Sequence, residues 1–287
     1  MERKYSDNVG PSDTHVRVAG WAHEIRDIGN LVFVILRDRE GTIQITFKSD
    51  ELDDDLFQQA KDLNKEDVIQ VTGTVEANED APGGREIKPD EMTKLNHANS
   101  PLPLEVTDKI DSDRATRLDN RFMDLRQPQI HEIFSFRDKV ITGLREWFED
   151  NDFIEIHTPI ISKGGAEGGA TLFPVIYYQE EAFLRQSPQL YKQMLMAAGF
   201  DKVYELGPSF RAENFATSRH VSEFTQWDVE LAFIEDHHDV MDVLEESLRH
   251  LIKHLKAEAQ HELDRLDVEL TVPEEDFPRI TFDEAID

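Results

Sequence analysis

The sequence contains no cysteine, and that absence removes disulfide bridges, thiol nucleophiles and cysteine-ligated zinc together. Long apolar runs are missing too. Nowhere do 18 apolar residues stand together, and the opening MERKYSDNVGPSD has no apolar core of signal-peptide length, so neither a spanning helix nor a secretory leader is read. The expectation is a soluble, cytoplasmic protein with no membrane partner. Basic residues are scarce, with 31 Lys and Arg against 60 Asp and Glu, for a formal net charge of -29. Spread evenly, that charge repels nucleic acid and acidic lipid, so a polyanionic ligand has to meet a local exception. The acid excess suits a halophilic cytoplasm, where salt at about 1 M screens self-repulsion within about 3 Å.

What is there suffices for a folded chain. Thirty-nine per cent of the 287 residues are hydrophobic, too many for a disordered acidic tail, and the length suits about two domains. Residues 14–20, 31–37, 42–48 and 67–76 are short β-rich runs separated by RDIGN, DREG and the polar helical stretch ELDDDLFQQAKDL. This pattern predicts a small Greek-key barrel of the OB type, ending near residue 100. Residues 101–129, which include PLPLEVTDKIDSD, lose periodicity and read as a surface linker. From residue 130 onward, apolar residues at three- and four-residue steps from Ile133 to Phe148 predict a helix of about five turns. FIEIHTPII reads as a strand whose Pro159 marks an edge, a bulge or an interface. A second long helix is expected over residues 236–263. The histidines read as solvated, with His237 and His238 pointing apart and His250, His254 and His261 on a charged helix, so no metal ligands are expected within residues 1–287.

Three stretches are able to carry chemistry. In FRAENFATSRHVSEFTQWDVE, GPSFRAE and EFTQWDVELAF predict an antiparallel hairpin with a polar loop between them. Strand alternation places Arg211 and Glu213 on one face, and Phe224, Gln226, Asp228 and Glu230 on one face of the returning strand. Trp227, Val229 and Leu231 take the opposite face. An arginine, an aromatic ring and several carboxylates, roofed by Arg219 and His220, suit a nucleoside triphosphate. An exposed strand face laced with ion pairs explains the same spacing equally well. In SKGGAEGGATLF, four glycines surround Glu167, as a hinged lid or a plain flexible loop requires. In RQSPQLYKQMLMAAGF, Ser187 is placed to cap a helix starting at Pro188, with Gln189, Lys192 and Gln193 on one side. Those residues either grip a carboxylate-bearing ligand or form a surface helix.

Taken together, FRAE, SRH, EFTQWDVE, GGAEGGATLF, QSPQLYKQ and the linker segment RLDNRFMDLR resemble the class II aminoacyl-tRNA synthetases of the aspartyl/asparaginyl branch, closest to the archaeal aspartyl type. The likeness runs from about Val16 to the end. It implies an α+β chain: an N-terminal OB-fold β-barrel that reads the anticodon (residues 1–100), the linker (101–129), and the first part of a class II catalytic domain (130–287). That part is an antiparallel sheet flanked by helices, with motif 1 forming a homodimer. Carried over residue by residue, Arg211 grips the ATP α-phosphate as the principal catalytic group, Glu213 the adenine amino group, and Phe224 the adenine ring. Arg219 and His220 meet the terminal phosphates. Glu167, Ser187, Gln189, Lys192 and Asp228 surround L-aspartate. Arg26, Phe33 and Gln44 match positions that engage anticodon bases of tRNA(Asp), and His23 and Pro82 match the type that discriminates against tRNA(Asn).

The implied activity is ATP-dependent ligation of aspartate to tRNA(Asp) through an aspartyl-adenylate, with Mg2+ on the phosphates. The family's motif 3 and its Mg2+-holding acidic pair have no counterpart within residues 1–287, so the sequence reads as C-terminally truncated. Alternatives remain at this stage: a ligase that also charges tRNA(Asn), an asparaginyl-tRNA synthetase, a non-catalytic RNA-binding paralogue, or a synthetase-like asparagine synthetase. The last lacks the anticodon barrel that residues 14–90 supply.

Overall fold

A computed structural model describes residues 1–107, 112–165, 172–213, 217 and 220–286. The chain divides into two compact units, Met1–Ile130 and His131–Asp287. In the first, β1 (His15–Asp27), β2 (Leu31–Arg37), β3 (Thr42–Lys48), β4 (Val68–Ala77) and β5 (Arg85–Asn96) close into a barrel in the order β1-β2-β3-β5-β4. Alternation along the strands drives the closure. Val32, Val34 and Leu36 of β2 and Ile43, Ile45 and Phe47 of β3 all point inward and are fully buried, while Phe33 and Ile35 face outward. Helix α1 (Asp54–Lys61) follows β3, and the Asp53 carboxylate accepts a hydrogen bond from the Leu56 N–H as its cap.

Strand β5 was not foreseen. Its sequence REIKPDEMTKLN is charged, and Pro89 interrupts the alternation. The register against β4 shifts between Thr72 and Gly73, beside Pro89, so the proline is accommodated at a bulge. The expected open linker also differs. Leu104, Val106 and Met123 form a small buried cluster with Leu102 packed on it, and α2 (Arg114–Asp119) and α3 (Arg121–Asp124) occupy the stretch. Irregular apolar spacing around the prolines hid that packing.

One carboxylate ties this segment to the barrel. The Glu66 side chain is 1 % exposed. It accepts two hydrogen bonds from Arg37 (3.0 and 2.9 Å) and one from Arg126 (2.9 Å), with His23 Nδ1 at 3.4 Å. Burial alone raises its pKa, but hydrogen bonds from His23, Arg37 and Arg126 outweigh burial and hold it at about 2. Trp21 lies under both guanidinium groups, 5.6 Å from Arg37 and 5.3 Å from Arg126.

Helix α4 (Pro128–Asp150), whose first three residues belong to the first unit, leads into β6 (Ile154–Glu155), β7 (Ile161–Ser162), β8 (Pro174–Tyr177) and β9 (Glu180–Leu184) of the second. Helix α5 (Gln189–Ala197), β10 (Lys202–Phe210), β11 (Glu223–Leu231), α6 (His237–Glu258), α7 (Gln260–Leu266) and α8 (Phe282–Ile286) complete it. Two sheets form, β11-β10-β6 and β7-β9-β8. The first packs on α4 through Trp147, Phe148 and Tyr204, with Phe148 stacked on Tyr204 at 4.6 Å and edge-on to Trp227 at 5.1 Å. The Tyr204 hydroxyl donates to Glu155 (3.2 Å), and burial, reinforced by the Glu155 charge, pushes its pKa up.

Three expectations are corrected here. FIEIHTPII is two short strands in different sheets with Pro159 between them, because β6 pairs with β10 in parallel over two positions and then leaves. The helix expected over 236–263 breaks at Ala259 (φ -123°, ψ 25°). Leu255, Ala259 and Leu263 keep four-residue spacing and are all buried, so periodicity does not register the break. His237 and His238 do not diverge, since their rings lie 4.2 Å apart. No helix among the described residues is long and apolar enough to cross a membrane.

The Glu66 pKa falls from 4.5 to about 2 on folding, so its stabilisation is present above pH 4.5 and is lost as pH drops toward 2. Glu66→Gln should lower the stability of the barrel at pH 7 by about 3 kcal/mol. It should also flatten the loss of stability between about pH 4.5 and 2, as read by urea unfolding at a series of pH values.

Candidate active site

The β10-β11 hairpin has two unlike faces. Its register pairs Glu205 with Asp228, Gly207 with Gln226 and Ser209 with Phe224. Tyr204, Leu206, Trp227, Val229 and Leu231 fall on the face packed against α4. Alternation therefore turns Glu205, Gly207, Ser209, Phe224, Gln226, Asp228 and Glu230 to the other side. This polar floor includes the four β11 residues anticipated from spacing.

Helix α5 supplies the next layer. Lys192 is 2 % exposed. Its ammonium contacts Asp228 Oδ1, Glu230 Oε2 (3.2 Å) and the Val229 carbonyl (3.0 Å). Gln189 Nε2 donates to the same Glu230 oxygen at 3.2 Å. The surface-helix reading thus fails for Lys192, while Gln193, one step on, is exposed. Ser187 is buried, but the helix starts at Gln189 with Pro188 as its cap residue, one position later than expected. The Ser187 hydroxyl accepts from the Gln189 N–H at 3.4 Å, a marginal cap.

Arg185 and Glu205 escaped the sequence reading. Arg185 follows β9 and crosses the floor to pair with Glu205 (2.7 Å), with each side chain under 5 % exposed. Its Nε donates to the Pro208 carbonyl at 2.8 Å, and Thr158 donates to Glu205 at 2.8 Å. A Cβ at position 207 would sit 2.6 Å from Arg185 Nη2 and 2.7 Å from Glu205 Oε1, so glycine leaves the room this pair requires. The signal was the alternation in VYELGPSF, which extends the strand four residues before Gly207. Beside Arg185, a cavity of about 290 Å3 is lined by Ser162, Lys163, Gly165, Gln186, Ser187 and Tyr191, among others.

At the far end of the floor, Arg211 lies over the Phe224 ring with its guanidinium carbon 5.6 Å from the centroid, and its backbone N–H donates to the Ser222 carbonyl. Arg211 and Glu213 follow the end of β10 and are half-buried. His220 is exposed and meets Thr217 Oγ1 at 2.7 Å. Glu167 and Arg219 lie outside the described residues. Three floor atoms, Ser209 Oγ, Gln226 Oε1 and Asp228 Oδ2, are buried with no hydrogen-bond partner among the described residues.

A family model described as class II tRNA synthetases (D, K and N) matches residues 113–287, and one described as an OB-fold nucleic acid binding domain matches residues 16–95. The chain belongs to the class II tRNA synthetases. It is 49 % identical to the aspartate-tRNA(Asp/Asn) ligase of Archaeoglobus fulgidus over 99 % of its own length and 66 % of that synthetase. It is 47 % identical to the aspartate-tRNA(Asp) ligase of Thermococcus kodakarensis, covering 62 % of it. Among solved structures, the asparaginyl-tRNA synthetase of Pyrococcus horikoshii complexed with asparaginyl-adenylate superposes with a TM-score of 0.92 at 32 % identity, over all of this chain and 66 % of that one. The chain thus spans just under two thirds of the length of these synthetases. The α+β class and the N-terminal OB-fold expected from the sequence are both met.

In the OB unit of this synthetase chain, cross-strand pairing sets Arg26 opposite Phe33, and Phe33 opposite Thr46. Gln44 lies opposite Ile35, two residues along from Phe33, so Arg26, Phe33 and Gln44 share the outer face. Arg26 is exposed, with its side chain 3.2 Å from Glu24. Gln44 donates to Glu86 at 2.9 Å. Burial raises the Glu86 pKa, but hydrogen bonds from Lys88, Thr46 and Gln44 bring it to about 2. His23 is not on this open face: it is buried beside Arg37 and Glu66. Pro82 is exposed in the turn between β4 and β5.

Removing the buried ammonium would leave Asp228 without its cation and Glu230 with the Gln189 amide alone. Lys192→Met should therefore cost about 3 kcal/mol in urea unfolding, whereas Gln193→Ala should stay within about 0.5 kcal/mol.

Proposed function

We propose that this chain carries the amino-acid-activating floor and the anticodon-reading barrel of an aspartate-tRNA ligase. The observation that supports it most is the row of buried polar atoms on one face, Ser209 Oγ, Gln226 Oε1 and Asp228 Oδ2, left without protein partners among the described residues. Buried polar groups ordinarily find partners, and a ligand bearing an ammonium and hydroxyls supplies them. In this reading Asp228 Oδ2 takes the amino group of L-aspartate, with Ser187 and Gln189 beside it. The three Lys192 donors already have three acceptors, so Lys192 reaches the substrate carboxylate by releasing Glu230, the more exposed of its two carboxylate partners. Glu167 closes over the substrate. Phe224 stacks on adenine beneath Arg211, Glu213 accepts from the exocyclic amine, and Arg219 and His220 meet the terminal phosphates.

The reaction needs no enzyme nucleophile. An aspartate carboxylate oxygen attacks the α-phosphorus of ATP in line and pyrophosphate leaves. A terminal ribose hydroxyl of tRNA then takes the aspartyl group from the adenylate, releasing AMP. Arg211 neutralises charge that grows at the α-phosphate in the transition state. The family implies ATP with Mg2+. Among the described residues, the groups offering three close donors are Glu146-His250-His254 and Asp236-His237-His238. Both include imidazoles rather than the oxygen set that Mg2+ takes, and neither lies on the floor, so neither fits that ion.

Exposed Ile133 and Phe134 on α4 and Ile154, Ile160 and Ile161 nearby in sequence support a homodimer through the motif 1 segment, in a cytoplasmic enzyme. His23 and Pro82 support charging of tRNA(Asp) alone. A second reading, charging of both tRNA(Asp) and tRNA(Asn), is favoured by the name of the Archaeoglobus fulgidus relative.

Aspartate-dependent ATP-pyrophosphate exchange tests the reading, on this chain and on a longer chimaera that joins to it the remaining C-terminal part of the Archaeoglobus fulgidus synthetase. Exchange driven by aspartate is expected in the longer form; exchange driven by asparagine alone would overturn the assignment. In that form Arg211→Ala should lower kcat by about 10²- to 10³-fold. In the anticodon barrel, Phe33→Ala should weaken tRNA binding about tenfold or more at fixed salt in a filter-binding assay.

A further inference from the structure

We propose that Glu146, His250 and His254 form a site for a divalent first-row transition metal, represented by Zn2+, that ties α4 to α6. The two histidines stand four residues apart on α6, so their imidazoles leave the helix on the same side. Their rings lie 6.3 Å apart and near-parallel. Glu146 comes from α4, with Oε2 2.9 Å from His254 Nδ1. One donor atom from each of the three side chains lies within 4.8 Å of the others. Zinc binds nitrogen and oxygen at about 2.0 to 2.2 Å, which sets tetrahedral donors about 3.4 Å apart. Rotamer adjustment of the exposed Glu146 side chain and the two imidazoles closes that gap.

Two further observations point to a ligand. Nε2 of His250 and Nε2 of His254 are both buried without a hydrogen-bond partner among the described residues, and the His254 side chain is only 9 % exposed. Neutral imidazole nitrogen is a preferred metal donor, and the Glu146 carboxylate already stands beside the His254 ring as an oxygen donor. Gly143 is the second observation. A Cβ there would stand 2.7 Å from His254 Cδ2 and 2.9 Å from His254 Cγ, so glycine, a poor residue for a helix interior, is what admits the imidazole against α4. Two nitrogens and a carboxylate select Zn2+, Co2+ or Ni2+ over Mg2+. His250 is half-buried and the His254 side chain is only 9 % exposed, so neither is solvated as their helix spacing suggested.

A chain of charge -29 collects cations loosely over its whole surface, so selectivity and residue dependence are the deciding readouts. Calorimetric titration of this 287-residue chain with ZnCl2 in 0.5 M or higher NaCl should give one site that MgCl2 in tenfold excess does not displace. His250→Gln and Glu146→Gln should each weaken it about tenfold or more while circular dichroism stays that of the parent. Zn2+ should also raise the Tm of the parent and not that of His250→Gln. The exposed Asp236-His237-His238 group is removed as a competitor with a His237→Gln/His238→Gln background, in which the site should persist. Loss of Zn2+ binding in that background, unchanged binding in His250→Gln, or displacement by Mg2+ would each overturn the proposal.

Discussion

Burial of one face of the β10-β11 hairpin against Trp147 and Phe148 is the constraint on which the second unit depends. Side chains in a strand alternate strictly, so sealing Tyr204, Leu206, Trp227 and Val229 into the aromatic core leaves the intervening residues no choice but the other side. The polar floor is the complement of the core. A one-residue slip of the register would bury Asp228 among aromatic rings and expose Trp227. The apolar contacts that stabilise the unit are therefore also what aims its carboxylates.

The floor is then shaped by ion pairs removed from water. Arg185 with Glu205 and Lys192 with Asp228 are almost wholly buried. Desolvation of such pairs offsets most of their attraction, so they are weak grounds for stability. What they do is hold charge in place: a guanidinium and an ammonium cross from separate elements to carboxylates on the hairpin, and each carboxylate position is thereby defined. In a chain so rich in acid, these buried cations are local exceptions, each set against a carboxylate of the hairpin. The barrel uses the same device in Glu66, whose hydrogen bonds from Arg37 of β2 and from Arg126 anchor the segment that follows β5.

Membership of the class II tRNA synthetases rests on a family match over residues 113–287 and agrees with the hairpin, the preceding helix and the barrel. The aspartate-specific reading rests on the floor and on motif residues, of which Arg211 and Phe224 are brought together and Lys192 and Asp228 are in direct contact. Two of the motif residues, Glu167 and Arg219, lie outside the described residues.

The sequence by itself determined the elements with regular apolar spacing: the first four barrel strands, helices α4 and α6, and the division of β11 into a polar and an apolar face. These are properties of local periodicity, and one chain segment suffices to display them. Strand β5, the split of FIEIHTPII, the packing of Leu104 and Val106 and the break at Ala259 were not legible, because each is decided by partners distant along the chain. The same holds for side chains. Alternation placed Asp228 on the floor and helical spacing placed Lys192 beside Gln189, but only the tertiary structure brought the ammonium to the carboxylate, laid Arg185 over Gly207 and set His254 against Gly143. Those contacts depend on burial and on donor geometry between elements, which no spacing within a single element encodes.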